Sequence, residues 1–162
     1  MAAATPRARL LVVDDELDIR NGLKALLGPA LSAEVIEAAS GKEALEALRA
    51  GPFHAILSDY KMPGMDGLQM LAQAQQLAPR TPRIMMTAYP DLELAIQALN
   101  DARILHFFTK PLDPESLIDV LRKVIAAEES LRLRDEALRR SLDVMKNKAA
   151  NPSRTPGVGR TP

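Results

Sequence analysis

Ala55-Ile-Leu-Ser-Asp-Tyr-Lys-Met-Pro-Gly-Met-Asp-Gly67 opens with an apolar strand-like run, 55–58, that ends on an acid and breaks into a turn-rich stretch. A helical pattern follows at 68–77 and closes at Pro79. The same alternation extends in both directions. Upstream, 10–13 is a β-rich run ended by acids. A helical stretch follows at 17–27, with a stop signal at Gly28-Pro29. Residues 34–38 read as a weaker strand near an edge; Ser40 then caps a helix, with Glu43 three residues on, and Gly51-Pro52 ends it. Downstream, 83–86 is a fourth strand, 91–99 a helix and 104–108 a fifth strand stopped by Pro111; a last helix starts near Asp113. Five strands alternating with five helices predict a parallel sheet covered on both faces. Right-handed crossovers make it doubly wound, with ligands at the carboxyl ends of the strands.

The chain has 162 residues, enough for one domain and an appendage. Hydrophobic residues make up 47% but aromatics only 3%, so the core must be aliphatic. Lys plus Arg and Asp plus Glu both number 21, and this balance argues against broad electrostatic binding to nucleic acid or to an anionic membrane. Without cysteine there is no disulfide, thiolate or zinc–thiolate chemistry. No apolar run has the length of a signal peptide core or a membrane span, so a soluble, cytoplasmic protein is expected.

Chemistry-bearing residues stand where the predicted strands end. Asp14 and Asp15 end the first, Asp59 the third, Thr87 the fourth and Lys110 the fifth. One at a time, each has an ordinary explanation as a turn former, a cap or a solvated lysine. Together they share one sheet edge. Three carboxylates there would repel one another unless a cation joined them, and Mg²⁺ suits a few carboxylates plus water. An ionised Asp59 is then a candidate nucleophile for an aspartyl phosphate. Lys110 would neutralise charge on the phosphoryl group, and the Thr87 hydroxyl would bond a phosphoryl oxygen. A haloacid-dehalogenase-type phosphatase would need Asp-x-Asp after the first strand, where this chain has adjacent aspartates; Rossmann and Walker glycine patterns are absent too.

Residues 8–127 resemble the receiver domain of bacterial two-component response regulators. The matching motifs are Val12-Val-Asp-Asp-Glu16, Leu57-Ser-Asp-Tyr-Lys-Met-Pro-Gly-Met-Asp-Gly67, Met86-Thr-Ala88 and Phe108-Thr-Lys-Pro111. The resemblance implies a CheY-like, flavodoxin-like sheet in the order 2-1-3-4-5. It implies Asp59 as phosphoacceptor from a histidine kinase, Asp15 as direct Mg²⁺ ligand with Asp14 near the metal, and the Lys61 backbone carbonyl as a further ligand. Thr87 and Lys110 would carry the switch contacts and the Lys110–Pro111 bond would be cis; Phe107 would be a switch aromatic, its alternative a core position on its strand. The Lys61 ammonium would either reach the phosphoryl group and tune its lifetime or be solvated. Such a chain is a signalling module rather than an enzyme, modifying only itself. More narrowly, Thr87-Ala-Tyr-Pro-Asp-Leu-Glu93 and Asn100-Asp-Ala-Arg-Ile104 are similar to receivers attached to HD-GYP cyclic-di-GMP phosphodiesterases, although the HD and GYP motifs themselves are absent.

Past the domain, Leu117, Val124, Leu131, Leu138 and Met145 recur every seven residues; the companion line mixes Leu121 and Leu142 with Glu128 and Asp135. This predicts a helical extension over 128–148, competing as a solvated helix or as a weak parallel two-helix dimer that phosphorylation adjusts. A structural or localisation protein that oligomerises through this helix is the rival function. Residues 1–7 and 149–162 are expected to be disordered. No DNA-reading domain fits after the receiver, and the tail reads like a linker to something longer. The expected partners are a histidine kinase and a downstream protein or output domain.

Overall fold

Parallel strands bury both faces only if helices cover both, and the computed structural model, which describes residues 7–88 and 91–151, shows this arrangement. Along the chain run β1 (Ala8–Val13), α1 (Leu17–Leu31), β2 (Ala33–Ala38), α2 (Gly41–Ala50), β3 (Ala55–Asp59) and α3 (Gly67–Leu77). Then follow β4 (Arg83–Thr87), α4 (Leu92–Asp101), β5 (His106–Thr109) and α5 (Pro114–Ala150). The sheet is parallel in the order β2-β1-β3-β4-β5, the expected doubly wound, flavodoxin-like topology with β2 at an edge.

Strand period two divides the core. Leu11, Val13, Ile56 and Met85 face a layer built by Ala44, Leu45 and Leu48 of α2, Leu68, Met70 and Leu71 of α3, and Leu94 and Ala98 of α4. Leu10, Val12, Leu57, Ile84 and Met86 face the opposite layer, with Leu23 and Leu27 of α1 and Leu117, Leu121, Val124 and Ile125 of α5. The aliphatic core foreseen from composition is present; Phe53 and Phe108 are the aromatics buried in it.

Local signals set most boundaries. The Ser40 hydroxyl accepts from the Glu43 N–H at 3.2 Å, and the Glu43 carboxylate accepts from Ala39 N–H at 2.8 Å, one residue earlier than a standard capping box. A full capping box opens α3: Asp66 accepts from Gln69 N–H, and the Gln69 side chain accepts from Asp66 N–H. Asp91 caps α4 and Asp113 caps α5 through the N–H groups of Leu94 and Ser116.

Two expectations need correction. Gly28-Pro29 does not stop α1, which continues to Leu31 with Pro29 inside it. Proline costs one backbone bond and a clash with the preceding turn, but its fixed φ is helical. The helix ends instead at Ser32, in the left-handed conformation (φ 49°), whose N–H returns to the carbonyls of Gly28 and Pro29. The fifth strand is His106–Thr109 rather than 104–108. Ile104 is buried, but as the apolar closure of α4: its N–H bonds the Ala98 carbonyl, and Arg103 before it takes φ 47° to make the turn.

The chain divides into two units, one ending at Glu128 and one beginning at Glu129. In the second unit, α5 continues to Ala150, two residues past the expected 148. The expected disordered ends lie outside the described residues except for Arg7 and residues 149–151, and Tyr89 and Pro90 of the motif similar to phosphodiesterase-attached receivers also lie outside them. No described helix is long and apolar enough to cross a membrane.

Candidate functional site

The topology brings the carboxyl ends of β1, β3 and β5 together. Carboxylate oxygens of Asp14, Asp15 and Asp59 all lie within 4.8 Å of one another, Asp14 and Asp59 buried and Asp15 exposed. Lys110 Nζ reaches Asp59 Oδ1 at 3.0 Å and Asp14 Oδ2 at 3.3 Å. The other Asp14 oxygen accepts from the Glu16 N–H at 2.9 Å, so both oxygens of this fully buried carboxylate are engaged. Hard, anionic oxygens at this spacing suit a divalent ion that takes one or two carboxylates and keeps water.

Thr87 is buried at the end of β4, and its carbonyl accepts from Lys110 N–H at 2.8 Å, which ties it to the site lysine through the backbone. Lys61 is exposed two residues after Asp59. Phe107 is half-buried on β5 against the α2–α4 layer, while Phe108 is buried on the opposite side. The Lys110–Pro111 bond is cis. Thus Asp14, Asp15, Asp59 and Lys110 form the cluster, Thr87 adjoins it through the backbone, and Phe107 stands two residues before Thr109 on the neighbouring strand.

Burial pushes the Asp59 carboxyl above its ordinary range, and the Asp14 charge adds to this; the Lys110 hydrogen bond and charge and the Tyr60 N–H oppose it without cancelling it. For Lys110, burial pulls downward, but its bonds to Asp59 and Asp14 and their charges outweigh that and hold it above the usual lysine value. A carboxyl that binds its proton more tightly folded than unfolded penalises the folded state once both forms are ionised. The metal-free protein is therefore expected to gain stability from Asp59→Asn at pH 7. The gain should shrink as pH falls through the raised Asp59 value towards the ordinary carboxyl range, where wild type regains its proton. Urea unfolding in chelator at several pH values measures this; a variant less stable than wild type at pH 7 contradicts it.

Three further residues shape the site. Arg20 of α1 donates to the Asp14 backbone carbonyl at 2.6 Å and pairs with Glu37 at 3.8 Å, anchoring the turn that carries both aspartates. On one chain it is indistinguishable from a solvated helix arginine. The Ser58 hydroxyl, fully buried, donates to the Asp59 carbonyl at 2.9 Å. At Gly67 a Cβ would run into the Asp59 carbonyl oxygen, and its N–H donates to Tyr60 O at 2.7 Å.

The profile of the response regulator receiver domain matches residues 10–122. The chain is 41% identical over 129 residues to the response regulator protein PilR of Pseudomonas aeruginosa, an alignment covering 80% of this chain and 27% of that protein. It is 38% identical over 121 residues to the DNA-binding transcriptional regulator NtrC of Escherichia coli, covering 74% and 25%. It therefore spans about a quarter of the length of these curated relatives. Among solved structures, the signal receiver domain of an HD domain-containing protein from Pseudomonas fluorescens superposes with TM-score 0.74 at 34% identity, covering 83% of this chain and 98% of that one. A CheY-like receiver domain protein from Methanospirillum hungatei gives 0.73 at 31%, covering 77% and 98%.

Proposed function

Because the chain belongs to the response regulator receiver domain family, whose profile spans most of its length, we propose that Asp59 is the phosphoacceptor of a phosphorylation-dependent signalling switch. The observation that carries the reading is the Asp14–Asp15–Asp59 cluster with Lys110 bonded across two of its members. An Asp59 carboxylate oxygen attacks phosphorus; the bond from phosphorus to the donor breaks, and the donor leaves with that electron pair. With phosphohistidine on a kinase, the P–N bond breaks and imidazole departs. Asp15 and Asp59, with the Lys61 carbonyl, would hold Mg²⁺, and Asp14 would stand beside it. When bound, the ion supplies positive charge to the phosphoryl oxygens.

Lys110 starts in an ion pair with Asp59 and exchanges that partner for a phosphoryl oxygen once Asp59 is modified. Thr87 supplies a hydroxyl to a second oxygen. Both residues are joined by the Lys110 N–H to Thr87 carbonyl bond, so a shift at one is felt by the other and by Phe107 on the adjoining strand. The exposed Lys61 ammonium adjusts the lifetime of the phosphoryl group. The state then passes through the Phe107 face and the C-terminal helix to a protein partner or output. This makes the chain a substrate of its own phosphoryl transfer rather than a catalyst of turnover. Its setting is the cytoplasm, where kinases and Mg²⁺ are supplied. The relatives do not favour a purely structural role for the helix.

Asp15→Asn removes one anionic ligand from an exposed position without touching the Lys110 bonds. Mg²⁺ affinity, titrated by fluorescence or calorimetry, is expected to fall by tenfold or more, on the order of 1.4 kcal/mol. Unchanged affinity removes Asp15 from the ligand set.

A further inference from the structure

In the second unit of the chain, Leu131, Leu138, Leu142 and Met145 line one side of α5, each between 46% and 68% exposed. Residues seven apart on a helix stack along one line. Arg132, Arg139 and Lys146 form such a line on one flank of the apolar stripe; Arg134 and Lys148 lie on the other, with Ser141 between them. The acids Glu129, Glu136 and Asp143 form a line further round, where Arg140 pairs with Glu136 at 3.5 Å. Asp135 stands in the stripe itself. Both borders of this apolar seam are therefore basic.

Flank charges decide which helix a seam accepts. In a parallel pair of copies, Arg134 of each would face the Arg139 of the other, and Asp135 would face Asp135. Antiparallel pairing would again set basic flank against basic flank. The weak parallel homodimer expected from the seven-residue repeat meets repulsion at its borders. An acid-flanked helix meets attraction at Arg134, Arg139, Lys146 and Lys148.

We propose that residues 131–145 dock an amphipathic helix of another protein whose apolar line is bordered by Asp and Glu. This inference does not depend on phosphorylation of Asp59. The probes are two synthetic helical peptides of about four heptads, sharing a Leu seam. One is flanked throughout by Glu, the other by Lys. Binding to the full chain is read by fluorescence anisotropy at low and high salt, and the state of the chain alone by sedimentation.

The Glu-flanked peptide is expected to bind at least about tenfold tighter than the Lys-flanked one, with the difference shrinking at high salt. Arg134→Glu/Arg139→Glu, checked for helicity by circular dichroism, is expected to remove most of the preference. Equal affinities, preference for the Lys-flanked peptide, or no binding of either would overturn the proposal. So would a wild-type dimer at micromolar concentration that the charge reversal leaves intact, since a second copy would then own the seam.

Discussion

Asp59→Asn protein is expected to take up no phosphoryl group from acetyl phosphate with Mg²⁺, while wild type gains one at a single site. The amide replacing the carboxylate is nearly isosteric but lacks the anionic oxygen proposed to attack phosphorus. The remaining acids of the site are poor substitutes. Asp14 is fully buried with both oxygens bonded, to Glu16 N–H and to Lys110. Asp15 is exposed and is proposed to face the ion. Intact-protein mass spectrometry, with peptide mapping after borohydride trapping, measures the effect. Since the variant is also expected to be at least as stable as wild type without metal, misfolding would not account for a loss. An acyl phosphate on another residue of wild type would overturn the assignment of Asp59.

The second large effect concerns a residue far from this chemistry. Arg83, the first residue of β4, is only 5% exposed, and its guanidinium donates to four backbone carbonyls: Ala102 at 2.8 Å, Thr81 at 2.8 Å, Ala78 at 3.3 Å and Pro79 at 3.4 Å. Ala78 and Ala102 are the residues that close α3 and α4. The carbonyl ends of two helices, which carry partial negative charge, thus converge on one cation. Burial lowers the Arg83 pKa and the nearby Arg103 charge lowers it further, but from so high a value that it stays charged. Arg83→Leu keeps an apolar stem in the strand and strips the carbonyls of their donor. The expected loss is about 3 kcal/mol, since charged hydrogen bonds are removed and buried acceptors are left unmet. For a protein of this size that lowers Tm by roughly 6–12 °C. Calorimetry at neutral pH tests it. A change within about 0.5 kcal/mol, the ordinary range for surface substitutions, would mean that water replaces the guanidinium without penalty.

The two residues show how unevenly structure is written along the chain. Asp59 was legible because its signal is local and joins others of fixed type: an acid after an apolar run, before Tyr-Lys-Met-Pro-Gly. Arg83 was read only as the start of a strand, because nothing in its neighbours says that two helix ends will converge on it. Similarly, Ser40 and Glu43 announced the start of α2, since a cap acts over three residues. The end of α1 was misplaced because Gly28-Pro29 is a statistical stop, while the real termination needed Ser32 in a left-handed conformation. Ile104 looked like strand because apolar residues mark burial, whether in a sheet or under a helix end.

The sequence by itself determined the alternation of elements, the aliphatic core, the sheet order through family resemblance, and the residue types Asp14, Asp15, Asp59, Thr87 and Lys110 at strand ends. Apart from the sheet order, these rest on interactions within a few residues or on period-two and period-3.6 burial. Only the tertiary structure decided that Lys110 bonds Asp14 and Asp59 together, that Arg20 holds the Asp14 carbonyl, that Gly67 must lack a side chain beneath Asp59, and that Arg83 joins α3 to α4. Lys110 and Asp14 are 96 positions apart, and no periodicity spans that distance. Such contacts exist because parallel crossovers bring every carboxyl end to one edge, where buried charges must find partners or lose their ionisation.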